Sequence, residues 1–255
     1  MNDNNIYTGR NSQIGQYLPN TLNYVHYDIE DETTWGFLQD CRNLFLIVPK
    51  IPHVLDHCKN FIYTAKQAGV KKIVKIGSMG SWRVIHNQID TYIRDCGINC
   101  ISFDMSVLMN NIFTEQYIGT TLLNYRHDTP APYLDPKALA EAIEQAMNRE
   151  ALLNFNIKAT GRYQYSIEDV QRILELNGYP VTSIEITHNN QLHKNAGVSA
   201  DQRLMSVISD DYALGIYPLI STDLNMFSVK HRTLEDFVEQ DSQYFLNLQA
   251  GDKNL

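Results

Sequence analysis

A glycine, five residues and a second glycine follow the first apolar run of this chain, in "IYTGRNSQIG", residues 6–15. A strand that turns through such a loop into a helix can present backbone N–H groups to a phosphate. Gly9, Arg10, Ser12 and Gly15 are the candidate contacts: Arg10 can pair with phosphate, and Ser12 stands where a middle glycine is usual. Equally, the two glycines can serve only to make the turn. Further candidates end later apolar runs: Pro49 in "NLFLIVP", Ser78 in "KKIVKIGS" and Asp104 in "CISFDMS". A carboxylate at the end of a strand must find a partner or shift its pKa. His86, in the helix-period run "RVIHNQIDTYIRDCG", supplies a group that titrates near neutrality. His53 and His57, at i and i+4, could clamp a metal, but no third ligand has suitable spacing and no metal is expected.

These residues need a scaffold, and the pattern of the chain supplies one. Strand-like runs at 5–9, 22–28, 43–49, 71–78 and 100–106 alternate with helical periods at 54–69 and 83–97 and a shorter one in "DETTWGFLQDC". Such alternation predicts an α/β fold, a parallel sheet with helices on both faces. Ligands bind such sheets at the carboxyl ends of the strands, where Gly9, Pro49, Ser78 and Asp104 would ring one cleft. The run "NLFLIVP" is apolar on both faces, as a central strand should be. After residue 134 an amphipathic helix (135–150) opens a second β–α–β passage, in which Ser166 and Asp169 form a capping box. The expected domains are 1–134 and a smaller α/β substrate-side region, 135–255, with 188–255 mostly helical and loop-rich.

Composition excludes some functions. A net charge of −8 on 255 residues, with no basic stripe, speaks against nucleic acid as a partner. The run "KQAGVKK" reads as a helix end and the solvated lip of a strand. No stretch nears the roughly 20 apolar residues of a membrane span, and the first residues lack the pattern of a signal peptide. Cys41, Cys58, Cys96 and Cys100 have no metal or disulfide-framework spacing, so free thiols in a cytoplasmic protein are expected. The expected partner is a small molecule, with a homodimer left open.

Taken in order, "YDIEDETTWGFLQDCRNLFLIVP", "FIYTAKQAGVKKIVKIGS", "HNQIDTYIRDCGINCISFDMSVLMNN" and "HRTLEDFVEQDSQYF" resemble the NmrA-like family, an atypical branch of the short-chain dehydrogenases/reductases. The resemblance implies a Rossmann-like fold that binds NADP(H) or NAD(H). It also implies either reduction of small molecules such as quinones and imines or redox sensing without catalysis. Four departures qualify it. Ser12 replaces the loop's middle glycine. Only 12 residues separate Gly15 from Asp28, too few for the family's ribose-recognition strand. The superfamily's Tyr-x-x-x-Lys pair falls at Trp82 and His86, and Asp104 replaces an arginine where nicotinamide would lie, near His86.

These departures favour a degenerate cleft that holds no nicotinamide cofactor. The expected enzyme is biosynthetic and non-redox, carrying out cyclisation, isomerisation or elimination on a cyclic or aromatic substrate. In this reading His86 moves the proton, Asp104 orients it, and Ser78 or Asn111 holds a substrate oxygen. Trp82, Met105, Leu108 and Pro49 would line the substrate site. Two alternatives stand beside it: an NAD(P)H-dependent reductase of an imine, enone or quinone, and a non-catalytic NAD(P)-sensing or partner-binding regulator.

Overall fold

The computed structural model describes residues 4–49, 51–80, 82–124, 129–186 and 220–249. Two compact units make up the chain, Met1–Met105 with Pro136–Ala159 and Asp223–Val229, and Ser106–Asp135 with Thr160–Thr222 and Lys230–Leu255. The chain leaves the first unit after Met105 and returns to it after Asp135, whereas the expected division placed 1–134 in one domain and 135–255 in the other. Residues 136–159 nevertheless join the first unit, because they extend its sheet.

That sheet is Rossmann-like and wholly parallel. It contains β1 (Asn5–Tyr7), β2 (Asn43–Leu46), β3 (Lys72–Ser78), β4 (Asn99–Met105) and a last strand, Asn156–Ala159, side by side in that order. Helices α1 (Val54–Ala68) and α2 (Arg83–Asp95) cover one face. Phe61, Ile62 and Ala65 of α1 and Ile89 and Ile93 of α2 pack there on Leu44, Leu46, Ile73 and Cys100, all buried. Gly69 ends α1 at a positive φ of 97°, a conformation that favours glycine, and its N–H bonds back to Ala65 and Lys66. Side chains alternate along a strand, so Lys72 points away from the face that holds Ile73. Its ammonium donates to the Ala146 and Met147 carbonyls at the end of α3 (Pro136–Asn148). Thus Lys72 is a buried helix cap, where the sequence suggested a solvated lip.

Three expected elements come out differently. Residues 22–28 form no strand: a single bridge joins Tyr24 to Tyr7, with Tyr7 N–H to Asn23 O and Val25 N–H to Tyr7 O. A three-residue β1 offers too little edge for more. Residues Glu32–Asp40 wind as 3-10 helix, capped by the Asp31 side chain and pinned by Trp35 Nε1 to Asp28 O at 2.7 Å. The run 43–49 is strand only to Leu46, and it lies between β1 and β3 rather than at the centre of the sheet.

In the second unit, β5 (Tyr117–Ile118), β6 (Thr121–Asn124) and a strand at Ser183–Ile186 form a small mixed sheet. The last strand of the first sheet is β7 and this one β8. Helix α4 (Ile167–Leu176) begins with the expected capping box of Ser166 and Asp169. A buried ion pair, Arg232 Nη2 to Asp135 Oδ1 at 2.8 Å, ties the start of α5 (Leu234–Gln249) to the segment before α3. Of the expected helical region 188–255, residues 188–219 and 250–255 lie outside the described residues.

Candidate functional site

Gly9 and Gly15 let the loop close on itself. A Cβ on Gly15 would sit 2.1 Å from the Gly9 carbonyl oxygen and 2.6 Å from that of Arg10. One on Gly9 would meet Ile47 Cδ1 at 2.4 Å, and Gly9 has a φ of 70°. Gly15 is therefore required by backbone packed on backbone, and Gly9 by its positive φ. Two amides of the loop are engaged within it. Ser12 N–H donates to Gly9 O at 2.9 Å, and Gly15 N–H donates to Ser12 Oγ at 2.9 Å. Arg10 is taken as well: its guanidinium donates to the Gly15 and Leu18 carbonyls and to Asn20 Oδ1, and lies over the Tyr24 ring at 4.9 Å. The loop runs into a single 3-10 turn, Gly15–Tyr17, rather than a helix with a dipole to offer.

The second cluster is buried between β3, β4 and α2. Lys75, fully buried in mid-strand, contacts three acceptors. They are Asp90 Oδ1 at 2.9 Å, Ser102 Oγ at 3.2 Å and His86 Nδ1 at 3.4 Å. Ser102 Oγ in turn lies 3.2 Å from Asp104 Oδ1. The parallel register explains the grouping: Lys75 lies beside Ser102, and Gly77 beside Asp104. A Cβ on Gly77 would stand 2.1 Å from Asp104 Oδ1, so this glycine makes the space for the carboxylate.

His86 and Asp104 are joined in one network, with Lys75 and Ser102 between them. This takes the histidine's titration away from neutrality. Burial first, and then the Lys75 cation, push the His86 pKa down to about 3, where a direct carboxylate neighbour would have raised it. Burial raises the Asp104 pKa, and Lys75 opposes that in part. His86 is a neutral imidazole at physiological pH, and Asp104 is the group of the two whose pKa moves toward neutrality.

Other expected residues fall as follows. Ser78 Oγ accepts from Gly80 N–H at 3.0 Å and so shapes its own turn. Trp82, expected as a pocket wall, packs half-buried against the α1/α2 core. Pro49 and Met105, both half-buried, follow β2 and end β4 in the first unit. Leu108 and Asn111 belong to the second unit. There Leu108 is core, bridged to Leu134, rather than surface that could line a site. Asn111 is buried at the start of the π-helical turn Ile112–Gln116. His57 meets Glu30 at 3.7 Å, and no metal-binding group of three or more His, Cys, Asp or Glu occurs among the described residues.

Sequence reasoning missed Lys75, Asp90 and Ser102. A lysine inside an apolar strand demands an acidic partner, and Asp90 lies one helical turn beyond His86 on the same face of α2. All four cysteines are free, and burial pushes Cys41, Cys58 and Cys100 up to about 12. Among the described residues no helix is long and apolar enough to cross a membrane.

No protein-family model and no curated protein sequence matches the chain. Solved structures do. The NADPH-dependent quinone oxidoreductase QOR2 of Escherichia coli, complexed with NADPH, superposes with a TM-score of 0.77 at 17% identity, over 94% of this chain and 99% of that one. The triphenylmethane reductase of Citrobacter sp., complexed with NADP(H), gives 0.74 at 16% identity, over 92% and 99%. A nucleoside-diphosphate-sugar epimerase of Staphylococcus aureus gives 0.76 at 14%, over 93% and 100%. The fold is therefore that of NAD(P)-binding reductases and epimerases. The loop itself does not fit the cofactor in the usual way. Two of its amides are bonded within the loop, its arginine is engaged, and β1 has one bridge where a ribose-recognition strand would lie.

Proposed function

We propose that the chain is an NmrA-like small-molecule enzyme whose chemistry is proton transfer rather than hydride transfer. The observation that carries this is the loop closed by the Gly15 N–H to Ser12 Oγ bond, which engages one of the amide donors the loop could turn to a pyrophosphate. The network around Lys75 supports a division of labour. Asp104, with its raised pKa, exchanges a proton with a carbon or oxygen of the substrate, and His86 supports an oxygen near it. This inverts the roles expected of the two residues from sequence. Isomerisation or elimination of a small carbonyl compound suits such a pair, and neither needs an external reductant.

A second reading, an NAD(P)H-dependent reductase of a quinone, imine or enone, is favoured by the solved structures, two of which are named as NADPH- or NADP(H)-bound reductases. Calorimetric titration with NADPH, NADP⁺, NADH and NAD⁺ separates the two. The proton-transfer reading expects no binding below millimolar concentration, whereas micromolar binding of any of the four would replace it with the reductase. A panel of cyclic ketones and enones incubated in heavy water then tests the chemistry. Deuterium should enter beside the carbonyl, and Asp104→Asn should slow this by about 10²–10⁴.

A further inference from the structure

We propose that Lys75 is a positioning residue that fixes the tautomer of His86, holding Nδ1 as an acceptor and leaving Nε2–H as a donor for a ligand oxygen. The inference rests on the proposed site and adds the direction of its hydrogen bonds. A lysine ammonium has three donors and no acceptor. Lys75 has three neighbours within reach, Asp90 Oδ1, Ser102 Oγ and His86 Nδ1, so each N–H has one destination. The carboxylate can only accept. The imidazole nitrogen facing an ammonium must therefore carry the lone pair, and the ring proton is left on Nε2.

The same directionality runs through the other branch. Ser102 accepts from Lys75, so its hydroxyl proton points to Asp104 Oδ1. At its far side, His86 Nε2 makes no hydrogen bond among the described residues and is not fully enclosed, which leaves it open to a ligand. The second oxygen of Asp104 is likewise no buried orphan. One buried cation thus sets an outward N–H donor on α2 and an outward carboxylate oxygen on β4. A neutral N–H donor suits a carbonyl or enolate oxygen, and it does not compete with Asp104 for the proton.

The groups around this network agree with that state. The ring meets the Lys75 cation from β3. Around Lys75 lie Ser102 and Cys100 of β4, with Asp104 beyond Ser102, together with Asp90 of α2 and Cys58 of α1, and burial keeps both thiols neutral. Arg83 of α2 acts on Asp104.

Long-range ¹H–¹⁵N correlation of the histidine rings reads the tautomer directly, with His86→Gln to assign the signal. In the native protein His86 should show a protonated Nε2 and a bare Nδ1 from pH 7.5 down to 4.5, without titrating. A proton on Nδ1, or a titration midpoint near 6.5, would overturn the proposal. Replacing Lys75 alone would strand Asp90, so the pair is changed together, Lys75→Met with Asp90→Leu, which buried ion pairs often tolerate. In that double variant His86 should titrate at a higher pH and populate both tautomers. An unchanged His86 signal would refute the role of Lys75. Should the native tautomer be as stated while no deuterium exchange is found, the enzymatic reading fails and this inference stands.

Discussion

Replacing His86 with Gln should change how stability responds to acid, and the size of the change follows from the burial of the ring. In the unfolded chain the imidazole takes up a proton near pH 6.5, and in the folded protein only near pH 3. Between these values the unfolded state binds more protons, so folding stability from this group is fully present above about pH 6.5 and is lost as pH falls. At pH 5 the separation is about 1.5 units, or roughly 2 kcal/mol at about 1.36 kcal/mol per unit. The introduced glutamine would retain an acceptor for Lys75 but has no proton to take up. The assay is urea unfolding of both proteins at pH 7, 6 and 5. The native protein should lose about 2 kcal/mol relative to the variant between pH 7 and pH 5. Asp104, whose raised pKa acts in the opposite direction, is common to both and cancels to first order. A stability difference that stays flat across this range would show that His86 takes up its proton in the folded state at the same pH as in the unfolded chain, and that the geometry around Lys75 is wrong.

Other substitutions test the scaffold. Phe45→Ala, in a strand covered on both faces, should cost about 3–5 kcal/mol in urea unfolding, while Ile47→Ala, half-buried just past the strand, should cost less. Asp135→Asn would leave Asp241 as the carboxylate partner of the buried Arg232 cation and should destabilise by about 1–3 kcal/mol, read as a lowered urea midpoint. Arg10→Ala removes bonds to the Leu18 and Gly15 carbonyls and should cost about 1 kcal/mol of stability, with no effect on deuterium exchange at Asp104. Loss of exchange in that variant would place the loop in the working site after all.

The parallel sheet was legible because strand-like runs rich in apolar residues are separated by helix-period segments, and because Gly69 and Ser166 carry unambiguous capping chemistry. The truncation after Gly15 was legible as arithmetic, since 12 residues cannot hold a helix and two strands. The structure that replaced them was not. That Ser12 would bond Gly15, and Arg10 the Leu18 carbonyl, depends on how a turn folds back, which spacing alone does not specify. The pairing of His86 with Asp104 was half legible: both were placed at one end of the sheet, but the register that sets Lys75 beside Ser102 inserts a cation between them. Leu108 and Trp82 show the remaining limit, since apolar residues near a cleft and apolar residues in a core have the same pattern in sequence.

The central claim is that the glycine loop is occupied by its own side chains, and the backbone amides of Ser12 and Gly15 report on it most directly. In an amide-resolved NMR titration with NADPH to about 1 mM, both signals should stay where they are and exchange with solvent at unchanged rates, because Gly9 O and Ser12 Oγ already hold them. Saturable shifts of these two amides, with slowed exchange, would show a pyrophosphate seated in the loop and contradict the account.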